Sequence, residues 1–198
     1  KPFSDEAGNG MHVHLSVVDK DGNNVFTVDK NKQPQGLFSH AIGGLLKTTP
    51  DFLSFYAPHS NSYRRLVHNA DHAPTTLSWG NENRTALIRL PEASAKATRL
   101  EFRVASADSN PYLVFASVLA SVYSGIQGKL PLDKETIGNA HAQHPPSLGV
   151  TWREAVEKTS VSSLVKDFFG EQFQQCYKCV KESEIKRFES TITDFEYH

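Results

Sequence analysis

Two histidines stand one residue apart in GNGMHVHLS, residues 8–16. Alternate side chains of a strand share a face. Met11, Val13, Leu15 and Val17 therefore project one way, and His12, His14 and Ser16 the other. Such a strand is half buried and carries two imidazoles on its polar face, where they suit a metal ion or a phosphate; the same pattern also fits a plain solvated face. RLEFRVA at 99–105 repeats the arrangement, with Arg99, Glu101 and Arg103 opposite Leu100, Phe102 and Val104. Arg84, Arg89 and Lys96 precede it, and Arg64 and Arg65 lie further upstream. An acid and an imidazole facing one pocket can share a hard divalent cation, Mg2+ or Mn2+, which keeps water and phosphate oxygens in its other positions. Guanidinium forks pair bidentately with carboxylates and phosphates. Taken singly, each arginine reads as a surface ion-pair partner. As a set on alternating strands, they suit phosphoryl transfer on an anionic substrate.

These side chains need elements to hold them. The sequence predicts a first strand over 11–18, a turn at Asp21-Gly22 and a returning strand through Val25, Phe26 and Val28. GLFSHAIGGLLKTTP then sets Leu37, Ala41, Leu45 and Leu46 on one helical stripe that stops before Pro50, and a shorter helical piece covers 51–56. Residues 59–74 are polar and basic and read as a loop. Three strands follow at 75–79, 85–91 and 99–105. Asn110-Pro111 opens a long helix, apolar nearly all round and expected to be buried. Residues 131–150, with Pro131, Pro145 and Pro146, read as a surface connection. Thr151 and Glu154 have the spacing of a capping box, and amphipathic helix runs from there to about 190 with a break near Gly170.

With 198 residues, 38% hydrophobic and a formal net charge of −1, the chain can bury a real core and is no polybasic nucleic-acid or membrane-surface binder. No apolar run approaches the length of a membrane span. Two cysteines, Cys176 and Cys179, make no disulfide framework, and a reducing, cytoplasmic setting is expected. Their CxxC spacing lies within a helical pattern and reads as incidental rather than zinc-binding. His141 and His144 are expected to be solvated, and Trp79 and Trp152 to serve packing. The start at Lys1-Pro2-Phe3, with Met11 the sole methionine, reads as a piece of a longer protein.

GNGMHVH, NSYRRLV, ENRTALIRLP and RLEFRVASADSNPYL, with the helix that follows, resemble the C-terminal catalytic part of the glutamine synthetase family. Five motifs occur in the family's order, covering residues 1–130, and the last 31 residues fit its terminal helices. The resemblance implies an α+β fold, a curved and mostly antiparallel sheet with helices packed on one face. It also implies that 1–130 carry the site, that 151–198 are C-terminal helices, and that an N-terminal domain lies outside this chain. Carried over residue by residue, His12 and Glu101 resemble ligands of one divalent cation. His14, Leu15 and Ser16 resemble the segment along the ATP phosphates and ribose, and Arg89, Lys96 and Arg99 resemble ATP contacts. Arg84 resembles the group that stabilises the transferring phosphoryl. Arg65 and Arg103 resemble the clamp on the glutamate carboxylates, and Gly8 the glycine where backbone approaches substrate.

The implied chemistry has two steps: the glutamate γ-carboxylate attacks ATP to give γ-glutamyl phosphate, and an amine then displaces phosphate. The family's loop after the Arg65 motif reads proline-glycine-tyrosine-glutamate, whereas this chain has HNADHAP, with Asp71 or His72 at the glutamate's place. That change, with TTLSWGNENRTALIRLP and RVASADSNPYL, resembles the γ-glutamylpolyamine synthetase branch and implies an amine such as putrescine. Ammonium as acceptor, with Asp71 or His72 doing the glutamate's work, is the alternative. A non-catalytic sensor of glutamate or nucleotide is a second alternative, and a small metal module built on His12 and His14 a third. Family members form rings with sites between subunits; this chain without its N-terminal domain is not expected to build one.

Overall fold

A computed structural model describes residues 1–67, 69, 70 and 73–197. In chain order the elements are strands β1 (Val13–Leu15), β2 (Thr27–Val28) and β3 (Pro34–Gln35), then helices α1 (Leu37–Thr48), α2 (Leu53–Tyr56) and α3 (Ser60–Tyr63). Strands β4 (Trp79–Asn81), β5 (Ile88–Leu90) and β6 (Leu100–Phe102) follow, then helices α4 (Pro111–Gln127), α5 (Ala140–Gln143), α6 (Trp152–Val161), α7 (Ser163–Phe169) and α8 (Glu171–Glu189). The fold is α+β. Four strands lie in the order β1-β6-β5-β4, antiparallel except for the β4–β5 pair, and β2 with β3 forms a separate ribbon.

The alternation in the first strand does what its pattern predicts. Val13 is buried and Met11, Leu15 and Val17 pack against the core, while His12, His14 and Ser16 stay exposed. The strand itself is shorter than expected, and the chain on either side follows its neighbours by single bonds, Met11 N–H to Ala105 O and Val25 N–H to Val17 O. The turn between them is fixed by the Asp19 carboxylate, which accepts the backbone N–H of Asp21 at 2.9 Å and of Asn23 at 2.8 Å, and by Gly22 at φ 82. The chain leaving that turn first pairs back, with Val18 bridging Asn24, and then β2 pairs with β3. Asn24 bends it by accepting Phe26 N–H at 2.9 Å, and Phe26 turns inward to stack on Phe38 at 4.5 Å.

Helix α1 crosses α4 where Gly44 meets Gly125, so closely that a Cβ on Gly44 would strike Ser121 O and one on Gly125 would strike His40 O. At the same crossing, the Thr48 hydroxyl donates to Ser121 Oγ at 2.7 Å. Asn110 caps α4 as its sequence predicts, accepting from Tyr112 N–H and Leu113 N–H. The helix is buried on one side only: Tyr112 is 82% exposed, and Phe115, Leu119 and Tyr123 continue an exposed apolar stripe.

Residues 131–150 are more than a surface connection. Thr136 N–H donates to Trp79 O at 2.9 Å, so the segment runs along the open edge of β4. Trp79 Nε1 donates to Asp133 O, and Thr136, Ala140 and Leu148 are buried. His141, expected in solvent, is buried with Nδ1 3.1 Å from Thr75 Oγ1, and half-buried His144 places Nε2 2.8 Å from Thr136 Oγ1. Further on, Thr151 and Glu154 form the reciprocal capping box, and Gly170 at φ 86 breaks the helix as predicted. A second break at Ser162 has no glycine or proline to announce it. There the Gln174 side chain donates to Thr159 O and Ser162 O, taking up carbonyls of the broken turn. Tyr177 of α8 donates to Ser54 O and sets its ring edge against Phe55, which ties the C-terminal helices to α2. Cys176 and Cys179 are free and exposed. Among the described residues no helix is long and apolar enough to cross a membrane.

Candidate active site

The sheet register assembles the site. His14 lies opposite Glu101 across β1–β6, and Arg89 lies opposite Glu101 across β5–β6, so the three form a row on one face. His12 and Arg103, each two residues away along its own segment, share that face. The two imidazoles of the HxH therefore belong to the same polar surface as the charges of β6.

Glu101 is the hub. It is 2% exposed. Its Oε1 takes His12 Nδ1 at 2.8 Å and Arg103 Nη1 at 2.7 Å, and its Oε2 takes Arg89 Nη1 at 2.6 Å. Burial alone would raise this carboxyl's pKa; the Arg89 hydrogen bond and the charges of Arg103 and Arg89 outweigh it and hold it below the ordinary value. His12 shifts the other way from a simple ion-pair partner. Burial and the nearby Arg103 charge disfavour its imidazolium more than Glu101 favours it, so its pKa is lowered and the ring is neutral at pH 7. His12, Arg84, Arg89, Glu101 and Arg103 line one cleft of about 370 Å³. Arg84 is exposed at its edge with no ion pair among the described residues, and its carbonyl accepts from Arg103 Nη2 at 3.1 Å.

Arg65 is buried in an adjoining cleft with Asn9, Asn61, Ser62, Ser106 and Asp108, and its Nη2 donates to Val104 O. Burial and the charge of Arg103 bring its pKa down to about 10, so it remains a cation. A Cβ on Gly8 would stand 2.7 Å from Arg65 Cγ, so the glycine also makes room for the arginine. Arg99 and His14 meet one row further along, Nε to Nδ1 at 3.3 Å. Ser16 shares His14's face, whereas Leu15 turns its side chain to the core and offers the site only backbone. Lys96 is exposed, with its carbonyl accepting from Asn24. Asp71 and His72 lie outside the described residues.

A divalent cation finds the right donor types but too few of them. His12 and Glu101 converge, yet no third histidine, cysteine or carboxylate joins them among the described residues, and both Glu101 oxygens already hold arginines. This chain would need donors from elsewhere to complete a metal site. Reading the sequence alone also misses Glu82, which grips Arg89 from the far side, Nη2 to Oε2 at 2.6 Å. Its only signal is an acid in the turn two residues before Arg84.

The profile of the glutamine synthetase catalytic domain matches this chain over residues 1–198. The chain belongs to the glutamine synthetase family. A γ-glutamylputrescine synthetase of Escherichia coli (strain K12) is 34% identical over 196 residues, 99% of this chain and 41% of that protein. A γ-glutamylethanolamide synthetase of Streptomyces coelicolor is 33% identical over 98% of this chain and 41% of its own length. A glutamine synthetase of Thermotoga maritima is 35% identical over 99% of this chain and 46% of its own. The chain thus spans less than half the length of these glutamine synthetase relatives.

Proposed function

We propose that this chain is the C-terminal part of the catalytic domain of an ATP-dependent ligase that joins the glutamate γ-carboxylate to an amine through γ-glutamyl phosphate. The observation that carries the reading is one buried carboxylate, Glu101, holding His12, Arg89 and Arg103 around a cleft whose rim carries the guanidinium of Arg84, which has no ion pair among the described residues. Such a cleft is built for an anion. As negative charge spreads over the transferring phosphoryl oxygens, Arg84 meets it, and preorganised donors of this kind are worth several kcal/mol, about 3–4 each. Arg89 and Arg103 are fixed in place by Glu101, so no reorganisation is needed at the moment of reaction. Neutral His12 keeps its lone pair available. Arg65 anchors a substrate carboxylate from the adjoining cleft, with Arg103 lining the Glu101 cleft. Bound Mg2+ or Mn2+ would add charge neutralisation on the phosphates, with His12 and Glu101 as this chain's contribution.

The acceptor we favour is a polyamine such as putrescine, supported by the name of the E. coli relative and by HNADHAP in the loop; the S. coelicolor relative's name supports an amine other than ammonium. The similarity to a glutamine synthetase of T. maritima supports the second reading, ammonium. Cytoplasmic location and a ring-shaped homo-oligomer of the parent protein go with either. The test is phosphate release by the full-length protein with ATP, glutamate and Mg2+, comparing putrescine, ethanolamine and ammonium. Turnover with putrescine above ammonium supports the reading. Turnover with ammonium alone moves it to the second, and nucleotide or glutamate binding without turnover leaves a sensor.

A further inference from the structure

Arg89 is gripped from two sides by carboxylates on different elements. Its Nη1 donates to Glu101 Oε2 of β6, and its Nη2 to Glu82 Oε2 in the turn after β4, both at 2.6 Å. Its Nε is buried with no hydrogen-bond partner among the described residues. Glu82 spends its other carboxylate oxygen on the backbone N–H of Glu92, and its own backbone N–H donates to Leu90 O at 3.1 Å. One side chain therefore links the end of β4, the exit of β5 and the guanidinium between them.

The backbone makes this choice of residue informative. Glu82 has φ 50, in the left-handed region where a Cβ is disfavoured and where glycine and asparagine sit most easily. A turn that needed only to close would do better with either, since the bond from residue 82 N–H to Leu90 O is a backbone bond that survives any side chain. What glycine, asparagine and aspartate lack at this position is reach. The extra methylene of glutamate brings a carboxylate to Arg89, and the inference from an outlier to a use runs in that direction.

Resting on the ATP-dependent ligase reading above, we infer that Glu82 is a positioning residue. With Glu101 it fixes the plane of the Arg89 guanidinium, so that the second N–H of its Nη groups is presented to the cleft and meets the phosphoryl oxygens. The mutual shifts agree with this grip: the hydrogen bond to Glu82 is the largest cause raising Arg89, and the hydrogen bond to Arg89 the largest lowering Glu82.

The experiment uses the full-length protein and compares Glu82→Asn, Glu82→Asp and Glu82→Gln by phosphate release at varied ATP, alongside thermal denaturation. Asparagine and aspartate suit the left-handed backbone but fall short of Arg89. Both are expected to hold or raise the melting temperature while kcat falls about tenfold or more, the scale of a lost hydrogen bond to a charged group, with KM for ATP little changed. Glutamine keeps the reach and a neutral acceptor and should retain more activity than either. If Glu82→Asp behaves as wild type, charge rather than reach is what matters and the inference is overturned. It is equally overturned if all three variants lose stability with kcat per folded molecule unchanged, or if the neutral variants only tighten KM for ATP. A wild-type protein that turns over nothing removes the ligase reading and this role with it, an outcome seen before any variant is made.

Discussion

At the scale of single residues, Glu101 concentrates the risk in the structure. A buried carboxylate facing two guanidiniums and an imidazole is costly to desolvate, and removing it takes the Glu101 charge from Arg103, itself 3% exposed. Glu101→Gln is expected to destabilise the protein by about 3 kcal/mol, read as a lower midpoint in urea denaturation, and to remove turnover. His12 and Glu101 also predict two separate pH windows. The folded-state pKa of His12 lies below its ordinary 6.5, so the unfolded chain binds the extra proton first. Stability is then level above that value and declines as pH falls from it toward the lowered pKa. Glu101 is depressed from 4.5, so its contribution is present above that value and is lost as pH falls through the folded pKa. Denaturation of His12→Gln across pH 7 to about pH 5 should show a flatter curve than wild type, with the steep loss at lower pH retained. A parallel pair of curves in the upper window would contradict the shift assigned to His12.

At the scale of elements, glycines decide how closely the helices approach. Gly44 and Gly125 let the backbones of α1 and α4 touch, and helix α1 lies between the β2–β3 ribbon and α4. Gly44→Ala must push Ser121 O away and should cost about 1–3 kcal/mol, measured by denaturation. Asn110→Ala removes the α4 cap and should cost about 1 kcal/mol, with the site unchanged. Much at this scale was legible beforehand. The alternation in MHVHLSV and RLEFRV places the polar face correctly, because side-chain direction in a strand follows from position alone. The Thr151–Glu154 box and Gly170 mark their helix ends for equally local reasons. What stayed hidden depends on partners distant in sequence. Residues 131–150 look like a connection by their prolines, yet are seated by bonds to Trp79, Asn81 and Thr75. Glu82 was unreadable because the sign of φ in a turn, and hence where its side chain reaches, is not written in the residues around it.

At the scale of the whole molecule, the site is an assembly of arginines around one acid, and its expected members divide by physical reach. His12, Arg89, Glu101 and Arg103 come together in one cleft because β1, β6 and β5 and their continuations carry them on one face, and Arg84 joins from the turn before β5. Arg65 joins from the helical side, with Gly8 making the room. The activity proposed for this face is activation of a carboxylate by phosphorylation. The most direct test is to supply the full-length protein with glutamate whose γ-carboxylate carries heavy oxygen, together with ATP, Mg2+ and putrescine, and to weigh the phosphate released. A γ-glutamyl phosphate intermediate transfers one labelled oxygen to each phosphate, and that is the predicted result. Unlabelled phosphate from an active protein would mean that water, not the glutamate carboxylate, attacks ATP, and would contradict the account.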